Sequence, residues 1–171
     1  MTAGPIRDAI EAATRHYAAN PADARSTDSA AVATLVDGLV VEVGGPTGER
    51  LRTDMVTGVG GTATAPSPGW LLRAAEASCV ATLIAMRAAM LGITLDALEV
   101  SVDSESDDRG LLGMDDTVPA GPLTGRVQVR LTADGVDPST LDEMARWGVE
   151  HCPVCDALER PVPITVEVAT I

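Results

Sequence analysis

The chain has no lysine and no phenylalanine, and its aromatic residues are Tyr17, Trp70 and Trp147. With so little aromatic bulk, its core has to be aliphatic. All 12 positive side chains are Arg, set against 25 carboxylates, for a formal charge of -13. That balance favours solubility and argues against a nucleic-acid partner, whose binding rests on positive charge meeting phosphate. Residues 1–10 lack a charged-then-apolar signal pattern, so cytoplasmic residence is expected. In that compartment the three cysteines, Cys79, Cys152 and Cys155, are not read as structural disulfides. Catalysis, redox chemistry, metal binding and inert burial remain open for them. The glycine-rich stretch 58–65 has no Gly-Lys-Ser/Thr after it and matches neither nucleotide fingerprint; a close backbone turn, too flexible for an element, is the better account. The acidic run 103–121 lacks the spacing of a calcium loop and reads as a solvated hairpin excursion. There is no repeat and no low-complexity tract.

At 171 residues the chain reads as one domain, organised around residues 66–91. Pro66-Ser67-Pro68 makes a stiff extended entry. From Trp70 onward strong helix formers run unbroken to Gly92. Leu71, Leu72, Ala75, Cys79, Leu83, Met86 and Met90 follow helical spacing, and the opposite side is also mostly apolar. Arg73, Glu76 and Arg87 interrupt it within one narrow stripe. Three charges in a run this short argue against a membrane span. A helix apolar nearly all round is instead enclosed by protein. Cys79 sits in its middle.

Before this helix, residues 5–19 form a short amphipathic helix and 21–29 a linker. Residues 31–43 and 49–56 turn to β, broken by Asp37-Gly38 and by the run 44–48, as an antiparallel meander. After it, residues 93–104 and 123–132 alternate as two further strands. Asp137-Pro138 opens a helix, with Asp137 as N-cap, and a second short helix begins at 151–158. Residues 162–171 are expected to form a closing strand. This order is an α+β pattern. The domain is placed at 30–171, with 1–29 as an amino-terminal helix and linker. One helix with sheet pieces on either side has more apolar surface than a small sheet covers, so a homodimer is expected.

Cys152 precedes Pro153 and suits an N-cap, where backbone N–H groups favour a thiolate. Cys155 lies one turn on, and His151 is placed to stabilise the thiolate. The pair resembles a redox C-x-x-C but follows a helix rather than a strand; with His151 it is half a zinc site. Burial of Cys79 in an apolar helix raises its pKa unless a cation or donors face it, and core packing is its ordinary reading.

Gly60-Gly61, the Pro66-Ser67-Pro68 entry, the Ala-rich helix with Cys79, then Leu91-Gly92-Ile93, the alternating Leu98, Val100 and Val102, and a late His151-Cys152-Pro153-Val154 occur in this order. Over roughly residues 32–171 the chain resembles the OsmC/Ohr family, the osmotically inducible and organic hydroperoxide resistance proteins. The resemblance implies an α+β fold with a long buried central helix packed with antiparallel sheet, in an intertwined homodimer with sites at the interface. It implies Cys-based reduction of an organic hydroperoxide, with a thiol reductant, no cofactor and no metal. On that pattern Cys79 is peroxidatic and Cys152 resolving; Cys155, one turn on from Cys152, is expected to exchange with it. A thiolate attacks the O–O bond, and a second thiol then condenses with the sulfenic acid. One departure stands out. In the hydroperoxide-reducing members a Glu follows the second Pro and pairs with an amino-terminal Arg; here that position is Gly69. Glu76, one turn before Cys79, is the acidic candidate. Arg52 is the arginine candidate ahead of Arg25, Arg50 and Arg73. The alternative is a non-catalytic dimer of the same fold that binds an apolar small molecule.

Overall fold

A computed structural model describes residues 3–170. It has a mixed architecture of helices and antiparallel sheet. The first helix, α1 (Ala3–Ala19), lies against the central helix, where Arg7, Ile10 and Thr14 flank Met90. The expected linker begins with a 3-10 turn, Pro21–Ala24.

The meander is present as β1 (Val32–Asp37), β2 (Val40–Gly44) and β3 (Arg50–Thr53), paired in that order. Register sets the two faces, because residues directly opposite each other share one. Ala33 and Leu51 flank Val43, while Leu35 and Thr53 flank Val41, giving one apolar face. Thr34 and Arg52 flank Glu42 on the other face. The apolar face finds little cover in its own chain: Leu35 is 66% exposed.

The stretch between β3 and the central helix is not the flexible run expected from its glycines. Asp54 is buried and gathers it. Its carboxylate accepts from the N–H groups of Met55 (2.7 Å), Thr62 (3.1 Å) and Thr64 (3.0 Å), and from both threonine hydroxyls. The chain folds so tightly here that a Cβ at Gly61 would overlap the Met55 carbonyl. A 3-10 turn, Thr57–Val59, completes the loop.

Helix α2 (Pro68–Leu91) starts two residues earlier than Trp70. Ser67 caps it by accepting from the Trp70 N–H, and Pro68 sits where a missing N–H costs nothing. Val80 and Ile84 are fully buried against α4 and the second sheet. That sheet is β4 (Ala97–Glu105) with β5 (Thr124–Thr132), shorter at its start than the alternation from Ile93 suggested. Leu98, Val100 and Val102 alternate inward with Val127, Val129 and Leu131. The acidic excursion between these strands carries a short helix, α3 (Asp108–Leu111).

Helix α4 (Pro138–Glu150) crosses α2 closely, because a Cβ at Gly148 would overlap the Ile84 side chain. Asp137 is its N-cap by position, but its side chain makes no capping bond. A short α5 (Pro153–Glu159) follows.

One expectation needs correction. The carboxy-terminal residues 161–170 form no strand. They alternate as expected, but nothing among the described residues pairs with them, and Ile164 and Val168 are more than four-fifths exposed. Within one chain α2 is covered in part, as its excess of apolar surface over sheet suggested, with 22% of its most apolar 18-residue window buried.

Candidate functional site

The three cysteines share one core. Helix α2 presents Cys79 half-buried beside the core. The turn between α4 and α5 places Cys152 with no exposed surface, and Cys155 is 6% exposed. Cys152 is the N-cap of α5, as its place before Pro153 suggested. Its sulfur accepts from the Cys155 N–H at 3.3 Å. The thiols of Cys79 and Cys155 both lie near enough to that sulfur to act on its ionisation. Residues far apart in sequence thus share one part of the core.

Their electrostatics differ. Burial raises the Cys79 thiol above its ordinary value, and donation to Cys152 adds to this, against a lowering from the Val154 N–H. Burial also pushes Cys152 up. It is outweighed by the Cys155 N–H, the thiols of Cys155 and Cys79, and the Val154 N–H, which together hold Cys152 low. Cys155 is pushed far up by burial, then by its bond to Cys152 and the negative charge there, with Glu76 adding to both effects. Of the three thiols Cys152 is therefore the first to ionise, with the other two held protonated beside it.

Glu76 is in the cluster, though not as a partner of Cys79. Its Oε1 accepts from Cys155 Sγ at 3.7 Å. Arg52 is not brought to the thiols within one chain; its guanidinium pairs with Glu42 on the polar face of the first sheet. Among the described residues no guanidinium acts on the Cys79 sulfur. Arg73 reaches past Gly69 and donates to Ser104 Oγ at 3.2 Å. His151 turns to Trp147 instead of Cys152: the rings stack at 4.1 Å, and Nδ1 hydrogen-bonds the Trp147 carbonyl. Arg87 covers Trp147, 5.1 Å from its ring centre. Among the described residues no three His, Cys, Asp or Glu side chains gather as metal ligands.

Cys155 and Glu76 also line a cleft of about 450 Å³ between α2, the second sheet and α5, walled by Leu72, Arg73, Leu123 and Val149. A larger hollow of about 980 Å³ runs over the first sheet, past Val32, Glu42, Leu51 and Arg52, and holds none of the thiols. The Glu76–Cys155 contact and the role of Asp54 were not found from sequence. The one available signal for Asp54 was Thr62 and Thr64 beside the glycine pair, two hydroxyls able to turn onto one carboxylate.

A family model described as OsmC-like protein matches residues 61–167. No curated protein matches the sequence. Several solved structures share the fold at low identity. An organic hydroperoxide resistance protein OsmC from Legionella pneumophila is 20% identical, with a TM-score of 0.56 over 78% of this chain and 90% of that one. The OsmC-like protein from Mycoplasma pneumoniae is 15% identical, with a TM-score of 0.66 over 79% and 89%. The organic hydroperoxide resistance protein OhrB of Bacillus subtilis is 19% identical, with a TM-score of 0.51 over 79% and 93%.

Proposed function

The chain belongs to the OsmC-like family, and from that premise we propose that it is a homodimeric, cysteine-dependent peroxidase that reduces organic hydroperoxides. The observation that carries this reading is the packing of a partly exposed Cys79 against the core that holds a fully buried Cys152. The accessible sulfur meets the peroxide, and the hidden one resolves. Cys79 passes its proton to the Cys152 thiolate and attacks the outer peroxide oxygen. The O–O bond breaks, Cys79 becomes a sulfenic acid, and the alkoxide leaves to be protonated as the alcohol. Cys152 then displaces hydroxide, which departs as water, and a Cys79–Cys152 disulfide forms. A thiol reductant restores both sulfurs. The apolar walls around the thiols favour an alkyl substrate over hydrogen peroxide.

The dimer rests on the uncovered apolar face of the first sheet and the exposed alternating tail, which a second copy would bury. Cys79→Ser is expected to reduce cumene hydroperoxide consumption to the uncatalysed rate; consumption at the parent rate removes the proposal. Gly69, standing at the acidic position of the hydroperoxide-reducing members, favours a second reading, a non-catalytic dimer that holds an apolar small molecule. That reading requires an unchanged free-thiol count after peroxide treatment.

A further inference from the structure

A two-thiol cycle uses Cys79 and Cys152 and leaves Cys155 and Glu76 without a task. Yet Cys155 is the better-placed neighbour of the resolving sulfur. It lies on the same turn of chain, and its N–H donates to the Cys152 sulfur at 3.3 Å. It also lies 3.7 Å from Glu76 Oε1. Glu76 comes from α2, 79 positions away in sequence, so local turn geometry does not explain the contact. Both residues line the 450 Å³ cleft, and Cys79 is not among its walls. Arg73, held on Ser104, lines the same cleft. Cys152 thus shares the core with both other thiols, and just one of those opens toward the cleft.

Resting on the peroxidase reading, we propose that Cys155 is the third thiol of a relay and Glu76 its proton acceptor. Once Cys79 and Cys152 are joined, Cys155 gives its proton to the Glu76 carboxylate and attacks the Cys152 sulfur. The Cys79–Cys152 bond breaks as the Cys152–Cys155 bond forms, and Cys79 leaves as a thiolate. One disulfide replaces another with no net oxidation. The step returns the peroxide-reacting sulfur in its nucleophilic form and moves the disulfide to the cleft. The resting state guards against a premature exchange. Apart from burial, what keeps Cys155 protonated is chiefly its bond to Cys152 and the charge there, and both vanish when Cys152 enters a disulfide.

The test treats the full-length protein with one equivalent of cumene hydroperoxide, with acid quenching, thiol alkylation and peptide mass spectrometry over time. Cleavage after arginine separates Cys79, between Arg73 and Arg87, from Cys152 and Cys155, which stay together after Arg146. The expected course is a cross-linked peptide pair that decays into an internal disulfide with Cys79 alkylated. Cys155→Ser, and Cys155→Ala as a second variant, should stop at the cross-linked pair. Glu76→Gln should form that pair at the parent rate and convert it roughly a hundredfold more slowly. Its deficit should narrow as pH rises and the thiol ionises without help, a response that a merely structural glutamate would not give. A parent chain that stays cross-linked with Cys155 alkylated overturns the relay alone. So does an internal disulfide without a preceding cross-link, or an unchanged conversion rate in Glu76→Gln. Failure of Cys79 to oxidise at all overturns the peroxidase reading, and the relay with it.

Discussion

The half of the chain built from α2, α4, α5 and the β4–β5 pair buries what it should: Val80 and Ile84 are 0% exposed and Met144 is 1%. In the first sheet and the tail, residues of the same kind stand open, Leu35 at 66% and Val166 at 78%. Composition does not separate the two regions, since both alternate Val, Leu and Ile with polar residues. The difference is in partners. In the first region a helix crosses a sheet at close quarters, with Gly148 letting the α4 backbone approach Ile84. The second region is an amphipathic sheet and an apolar tail without a layer opposite them, and an apolar face of that kind marks an interface. The thiols belong to the closed half, whereas Arg52 belongs to the open one. A chemistry that requires both would be complete in the assembly alone.

The comparison breaks most sharply at Leu35, in the middle of the open apolar face. Leu35→Glu should convert the protein from dimer to monomer in sedimentation velocity, because a charge would have to be desolvated at the interface. A parent chain that sediments as a monomer, or a variant that remains a dimer, removes the proposed partner. Next in size is Ile84→Ala in the closed half. A fully buried isoleucine truncated beside a close helix crossing should cost about 2–5 kcal/mol in denaturant unfolding, and a loss below about 1 kcal/mol would mean that the site collapses around the gap.

What could be read beforehand follows the same division. Helix α2 was legible because Ser67, Pro68 and Gly92 punctuate a run of strong helix formers. The β1–β3 meander and the β4–β5 pair were legible from alternation, and the α5 cap from the Cys152-Pro153 order. The tail misled for a physical reason: alternation records which faces are apolar, not whether a neighbouring strand is present to pair. Glu76 misled similarly. Helical spacing placed it one turn from Cys79, but its oxygen was claimed by Cys155, which arrives from a distant helix. The loop after β3 looked loose because glycine advertises freedom, whereas Asp54 removes that freedom through N–H and hydroxyl donors on two sides.

Asp54 joins the two regions, since its own N–H donates to the Pro66 carbonyl at the entry to α2. The Thr62 hydroxyl, then the N–H groups of Thr64 and Met55 and the Thr64 hydroxyl, hold its carboxyl well below the usual aspartate range. A depressed folded-state pKa stabilises the protein above the unfolded value, near about pH 4, and that contribution is lost as pH falls through the folded value. Asp54→Asn removes the charge and turns one acceptor into a donor facing donors, so it should lower the melting temperature at neutral pH, though less than Ile84→Ala. The difference between parent and variant should stay level from neutral pH to about pH 5 and shrink below about pH 4. A difference that is flat through the acid range would mean that the loop is held by its backbone turns rather than by the carboxylate, and the two regions would then be joined by chain connectivity alone.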